Sequence, residues 1–249
     1  MSYFSLIYLG IFSLIISFLS FLNIIYSYYF NLYLNLNSYI YSLIISLILG
    51  IIFLFKNKDN FKISIYHKIL IVILGYLILP CIISIPFYFS IYNISFLDSY
   101  FEAISGFTST GFTVFDNIKH LDESLILWRS SSQWIGGLYF LFSIILLIDI
   151  FDNNLKKSLT NFLSFNTSEV LKQSSKILIL YILLTFCIFI ILKIFHFRFF
   201  DSFNLAMTLI SSGGFLPVNN LSSIVNTNIK EIIFALMMLV SFFSIFLSY

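Results

Sequence analysis

Two short stretches of this chain hold the residue types that could strip water from a cation. One is Thr108, Ser109, Thr110, Gly111, Phe112 and Thr113. The other is Ser211, Ser212, Gly213, Gly214 and Phe215. Backbone carbonyls replace an ion's hydration shell when the chain is extended and its carbonyls face one axis. Glycine permits such backbone, because a positive φ costs it nothing. Small hydroxyl residues add oxygens without blocking the path. The two stretches belong to a longer repeat: 98–112 reads DSYFEAISGFTSTGF, and 201–215 reads DSFNLAMTLISSGGF. Asp98 falls on Asp201, Ser109 on Ser212, Gly111 on Gly214 and Phe112 on Phe215, at a constant offset of 103 residues.

A pair of such stretches needs elements to hold it. Each copy is a helix-forming run that opens at an acid expected to cap it, Asp98 or Asp201. A glycine-containing turn follows, between two long apolar segments. Irregular backbone at membrane depth survives only when buried in protein or lining a watery cavity, so the plan reads as two re-entrant loops beside an ion path. The negative end of each short helix would favour a cation there. A single Ser-x-Gly could merely end a helix, with Gly111 and Gly214 as turn residues. Two copies sharing spacing, acid and flanking segments favour the pathway reading.

Composition agrees. The chain is 60% hydrophobic and 10% charged, against roughly 25% charged in a soluble domain, and its mean hydropathy is +1.01. The first charged residue is Lys56. The stretch before it is long enough for two spans of about 20 residues, and too long and too poor in basic residues for a cleavable signal peptide. Abundant Phe, Ile, Asn and Tyr read as a low-GC compositional bias. No strongly basic face for nucleic acid is present. Cys81 and Cys187 lie in apolar runs and read as small buried residues.

The expected fold class is an all-α integral membrane protein of about six transmembrane helices. Spans are expected at 3–31, 38–55, 68–94, 124–149, 174–196 and 229–248, with the third interrupted by Gly75, Pro80 and Pro86, and the loops at 98–115 and 201–217. This divides the chain into a hairpin (1–60), a first helix–loop–helix unit (61–150) and a second (151–249). Lys56, Lys58, Lys62 and Lys68 follow the second span, and Lys156, Lys157, Lys172 and Lys176 follow the fourth. Basic residues in short loops mark the cytoplasmic side. The N-terminus is then cytoplasmic, and both loops enter from outside. Asp98, Glu102, Asp116, Asp122, Glu123, Asp201 and Glu231 fall on the outer half, which suits cation attraction.

Arg129 has two readings: pairing with Glu102, Asp122 or Glu123 to brace the loops, or snorkelling to the interface with Trp128 and Trp134 as belt residues. Gly136 and Gly137 read as a close-packing site. His67, His120 and His196 are scattered, and no metal, nucleotide or catalytic constellation is evident, so an enzyme is not expected.

The stretch FEAISGFTSTGFTVFDNIKHLDESLILWRSSSQWIGG resembles the first pore unit of the Trk/Ktr potassium-transport subunits, through Phe101, Glu102, Ser105 to Gly111, Trp128, Arg129, Gln133, Trp134, Gly136 and Gly137. FDSFNLAMTLISSGGF resembles the second unit, and IPFYFS (85–90) the end of the preceding helix. The resemblance runs from about residue 62 to the end, and the N-terminal hairpin suits the Trk branch. It implies potassium uptake through a filter of backbone carbonyls, with one glycine per loop, Gly111 and Gly214, at its centre. It implies K⁺ as the transported ion and no cofactor in this chain, and Glu102 and Arg129 are read beside it as pore-supporting residues.

It also implies a pore of four units, a dimer, and a cytosolic ring of nucleotide-binding regulatory subunits, set in the lipid of the cytoplasmic (inner) membrane. Two units are present here. The expectation is a truncated or split transport subunit completed by a missing C-terminal half, or less readily by a second copy. The competing expectation is a non-conducting structural or regulatory membrane protein derived from such a transporter.

Overall fold

The computed structural model describes residues 6–55, 65–147 and 167–247. Among them the chain is all helix and connecting segment: α1 Leu6–Tyr29, α2 Leu36–Phe55, α3 Ile65–Tyr88, α4 Phe96–Phe107, α5 Glu123–Leu147, α6 Thr167–Ile194, α7 Phe199–Ile210 and α8 Asn228–Leu247. Two single 3₁₀ turns, Ile118–His120 and Leu221–Ser223, follow the two loops. Most of the lysines used to orient the chain, at 56, 58, 62, 156 and 157, lie outside the described residues.

Four helical stretches are long and apolar enough to cross a membrane: Ile7–Tyr29, Leu36–Phe55, Lys68–Tyr88 and Ser175–Ile194. Helices α5 and α8 fall outside this set among the described residues, and for α5 the cause is visible. It carries Arg129, three consecutive serines and Gln133, yet every residue from Ser124 to Tyr139 is buried. A helix enclosed by protein on all sides is not required to match lipid, and polar side chains can persist there if paired. It packs against α1, α3, α4, α6 and α7 and is the axis of the fold.

The α1–α2 hairpin closes along a seam of small residues. Gly10 and Gly50 face each other, so that a Cβ on Gly10 would sit 3.2 Å from the Gly50 carbonyl oxygen. Ser20 and Ser42 share a hydroxyl–hydroxyl bond of 3.1 Å, and Ser17 Oγ donates to the Leu43 carbonyl at 3.3 Å. Lipid offers no hydrophobic gain for helix pairing, so close approach and interhelical hydrogen bonds hold such pairs. At its end the hairpin docks on α5: Asn23 Nδ2 donates to the Ser124 carbonyl and the Tyr39 hydroxyl meets Ser124 Oγ, both at 3.0 Å.

Helix α3 corrects one expectation. It runs unbroken through Pro80 and Pro86 and ends at Tyr88 rather than near residue 94. Neighbouring side chains bond its carbonyls: Tyr100 to Leu77, Trp128 Nε1 to Ile83, and Tyr139 to Val72. Pro80 and Pro86 remove the helical bonds to the Tyr76 and Ile82 carbonyls, and the donors to Leu77 and Ile83 bind one residue beyond them. Cys81 and Cys187 are a second correction. Both thiols are free and exposed on the surface of the chain, so neither fills the core.

Candidate functional site: two loops on one helix

Helices α4 and α7 are each twelve residues long and each lead into one of the loops. Their first turns correct the expected caps. The N-cap of α4 is Ser95, whose hydroxyl accepts from Asp98 N at 3.1 Å and donates to the Asp98 carboxylate at 2.7 Å. The N-cap of α7 is Arg198, which has no side-chain cap bond, and its Nε lies 3.9 Å from Asp201 Oδ2. Both acids therefore stand at the third helical position, where a negative charge meets the unpaired amides of the first turn.

The far ends of the two helices share the same pair of closing bonds. Ser109 N donates to Gly106 O and Thr110 N to Ser105 O. Ser212 N donates to Leu209 O and Gly213 N to Thr208 O. These paired bonds are the Schellman closure, with the left-handed residue just past the helix. That residue is serine in both loops, with φ of 57° at Ser109 and 53° at Ser212. Gly111 and Gly214 lie two residues further on, so neither glycine is there to end its helix.

The glycines meet each other instead. Gly111 has a φ of 79°, and a Cβ on it would lie 2.6 Å from Gly214 Cα and 2.9 Å from Gly214 N. A Cβ on Gly214 would lie 3.3 Å from Gly111 Cα. The two loops thus touch backbone to backbone at the paired positions. Further out they are tied again: Asn219 Nδ2 donates to Asn117 Oδ1 at 2.8 Å, and Asn219 Oδ1 accepts from Ile118 N at 2.7 Å. Thr108, Thr110, Phe112, Ser212 and Gly214 are exposed, whereas Ser211 and Phe215 are buried. The aligned phenylalanines part company, Phe112 at 72% exposure and Phe215 at 2%.

One face of α5 carries both loops. Gly136 receives the end of α4, since a Cβ there would strike the Phe107 carbonyl, and Gly137 receives Ser211, whose Cα would lie 2.8 Å from such a Cβ. These two glycines therefore each seat one of the two short helices on α5. Higher up, the Gln133 amide accepts from Phe215 N at 3.2 Å. Gln133 entered the sequence reading only as a motif letter. Its partner is 82 residues away, and no local pattern points to it.

Glu102 and Arg129 are brought together and buried, at 0% and 1% exposure, with Arg129 Nε 2.7 Å from Glu102 Oε1. The same carboxylate accepts from the Thr113 hydroxyl at 3.1 Å and from Val114 N at 3.0 Å. The guanidinium reaches loop two, with Nη1 3.4 Å from the Leu216 carbonyl and its centre 4.1 Å from the Phe215 ring. Of the two readings of Arg129, snorkelling is overturned. Trp128 and Trp134 are likewise buried rather than belt residues, the latter bonding Thr185. Nor is Glu102 an open attractor of cations, because its charge is paired. Among the described residues, no group of three or more His, Cys, Asp and Glu could hold a metal ion.

With this geometry in place, similarity to known proteins is informative. The TrkH family profile, described as cation transport protein, matches residues 36–248. An uncharacterized cation transporter of Methanocaldococcus jannaschii is 32% identical over 185 residues, which is 71% of this chain and 37% of that one. The Trk system potassium uptake protein TrkG of Escherichia coli is 30% identical over 82 residues, 32% of this chain and 17% of that one. The crystal structure of the potassium transporter TrkH from Vibrio parahaemolyticus superposes with a TM-score of 0.74 at 21% identity. It covers 95% of this chain and 49% of that one, and shows the shared fold. The chain thus spans half or less of the length of these relatives.

Proposed function

The chain belongs to the TrkH family of cation transport proteins, and on that premise we propose that its two loops are two segments of a potassium-selective filter serving K⁺ uptake across the cytoplasmic membrane. The observation that carries this is the meeting of Gly111 and Gly214 just beyond two helix closures of the same type, both seated on α5. Beyond such a turn the backbone leaves the helical path, which lets carbonyls face an ion, although the Phe112 carbonyl already accepts from Ser105 Oγ. The filter residues are Thr108, Ser109, Thr110, Gly111 and Phe112 in loop one and Ser211, Ser212, Gly213, Gly214 and Phe215 in loop two. Glu102 and Arg129 support them from behind.

The rest of the reading follows from a filter of this kind. The hairpin 1–60 precedes two helix–loop–helix units, 61–150 and 151–249, and α5 and α8 join the four apolar helices as spans. Two loops cover part of an ion's surroundings. Two more segments come from further residues of a longer protein, from a separate chain, or from a second copy. The N-terminus is cytoplasmic and the loops open outward. The protein is a transport subunit rather than an enzyme, with K⁺ as cargo and no cofactor of its own. It works as a dimer in lipid with a cytosolic nucleotide-binding regulatory subunit.

The test is complementation of cells that lack potassium uptake, with the protein expressed alone and with a partner supplying two further units. Growth at low potassium is expected in at least one of these settings. It should vanish with Gly111→Val, where positive φ and contact with Gly214 both exclude a side chain. Full growth of the Gly111→Val strain would overturn the filter assignment.

A further inference from the structure

The two loops share a backbone but are not braced alike. Loop one is held by its own helix. Ser105 Oγ donates to the Phe112 carbonyl at 2.5 Å, and Thr110 Oγ1 donates to the Ser105 carbonyl at 3.2 Å. Glu102, a turn earlier on α4, holds Thr113 and Val114. None of these braces is repeated at its aligned position in loop two, where Ser211 Oγ instead bonds the Met207 and Thr208 carbonyls. Glu102 aligns with Leu205, which has no polar side-chain atom. Ser105 aligns with Thr208, whose hydroxyl bonds the Leu205 carbonyl inside the helix at 3.1 Å. Thr110 aligns with Gly213, which has no side chain.

Loop two is held from another unit. Gln133 Oε1 on α5 accepts from Phe215 N at 3.2 Å, and Arg129, one turn away on the same face, reaches Leu216. The Gln133 amide also lies where a side chain on residue 213 would stand, its Nε2 2.8 Å from an ideal Cβ there. Gly213 has no positive φ among the described residues, so its lack of a side chain answers to this contact and not to backbone strain.

We infer that Gln133 is a positioning residue for loop two: its amide occupies the space that the Thr110 side chain fills in loop one, and fixes the Phe215 peptide from outside the loop's own helix. The exchange is reciprocal. A side chain at 110 goes with an internal brace, and a glycine at 213 goes with an external one. The second loop's shape therefore depends on a helix of the first unit, and the two units are not interchangeable. The consequence for ion choice rests on the filter reading above; the steric exchange between Gln133 and residue 213 does not.

Two measurements on the full chain separate these. First, thermal unfolding in detergent compares Gln133→Ala, Gly213→Ser and the double variant. Each single change should lower the midpoint, and the serine should cost little or nothing once the amide is gone. Effects of Gly213→Ser that are the same in both backgrounds would overturn the exchange. Second, rubidium and sodium uptake is measured in vesicles carrying the chain with whatever partner supports transport. Gln133→Met, which keeps the bulk and loses the acceptor, should reduce the preference for rubidium several-fold while total cation flux persists. An unchanged preference would overturn the positioning role. Should the unaltered protein carry no rubidium in any setting, the filter reading falls, and the unfolding comparison alone decides the brace.

Discussion

A carboxylate and a guanidinium enclosed together at 2.7 Å stabilise each other only while both are present. Losing one leaves the other charged and dry, which costs about 3–5 kcal/mol. Arg129→Met should therefore destabilise the chain by about that amount. The double variant Glu102→Leu/Arg129→Met should recover part of it, because no orphan charge remains and Leu205 already occupies the equivalent place in the second unit. Denaturation in detergent measures both. Residue identity alone made Glu102 and Arg129 candidates, through their place in a family motif. It left three acids open as partners of Arg129, because 27 residues of helix, loop and turn separate it from Glu102 and spacing alone does not select a contact across them. The same limit hid Gln133.

At the scale of elements, the fold turns on how closely α4 and α7 approach α5. An alanine is a better helix former than glycine by roughly 1 kcal/mol, so a glycine to alanine change inside a helix is normally stabilising. At Gly136 the sign should reverse. A Cβ there meets the Phe107 carbonyl, which is backbone and cannot rotate away. Gly136→Ala is expected to destabilise by about 1–3 kcal/mol, the cost of forcing atoms into a packed interior. Gly137→Ala should behave similarly against Ser211. A stabilising effect of either change would show that the helices yield freely. Periodicity and apolar run length made the long helices legible to within several residues. They misplaced the end of α3, because the apolar residues Phe89, Ile91, Tyr92 and Ile94 continue the run past Tyr88, where the helix ends. They also misassigned the caps of α4 and α7, where the acid stands three residues inside the helix and not at its boundary.

For the molecule as a whole, the same ends of the hairpin, of α5 and of both loops are knitted together. Asn23 bonds Ser124, Tyr92 bonds the His120 carbonyl, and Asn117 bonds Asn219. If the loops open outward, Lys119→Cys in a background lacking Cys81 and Cys187 should react with a membrane-impermeant maleimide in intact cells. Lys156→Cys should react only after permeabilisation. Labelling of Lys156→Cys in intact cells would invert the proposed orientation. Both native thiols are exposed on the chain surface, so removing them should leave the fold in place.

The amino-acid sequence by itself determined that the chain is apolar, helical and internally repeated, and that its repeat carries hydroxyls and glycines at matched positions. Those properties are local: run length, composition and a constant offset can be read along one dimension. Only the tertiary structure decided that Gly111 and Gly214 touch, that α5 is enclosed and carries both loops, and that loop one is braced by its own helix while loop two is braced by Gln133 and Arg129. Contacts between residues some 80 to 100 positions apart depend on how helices pack. Two segments that match in sequence can therefore be held in place by different neighbours.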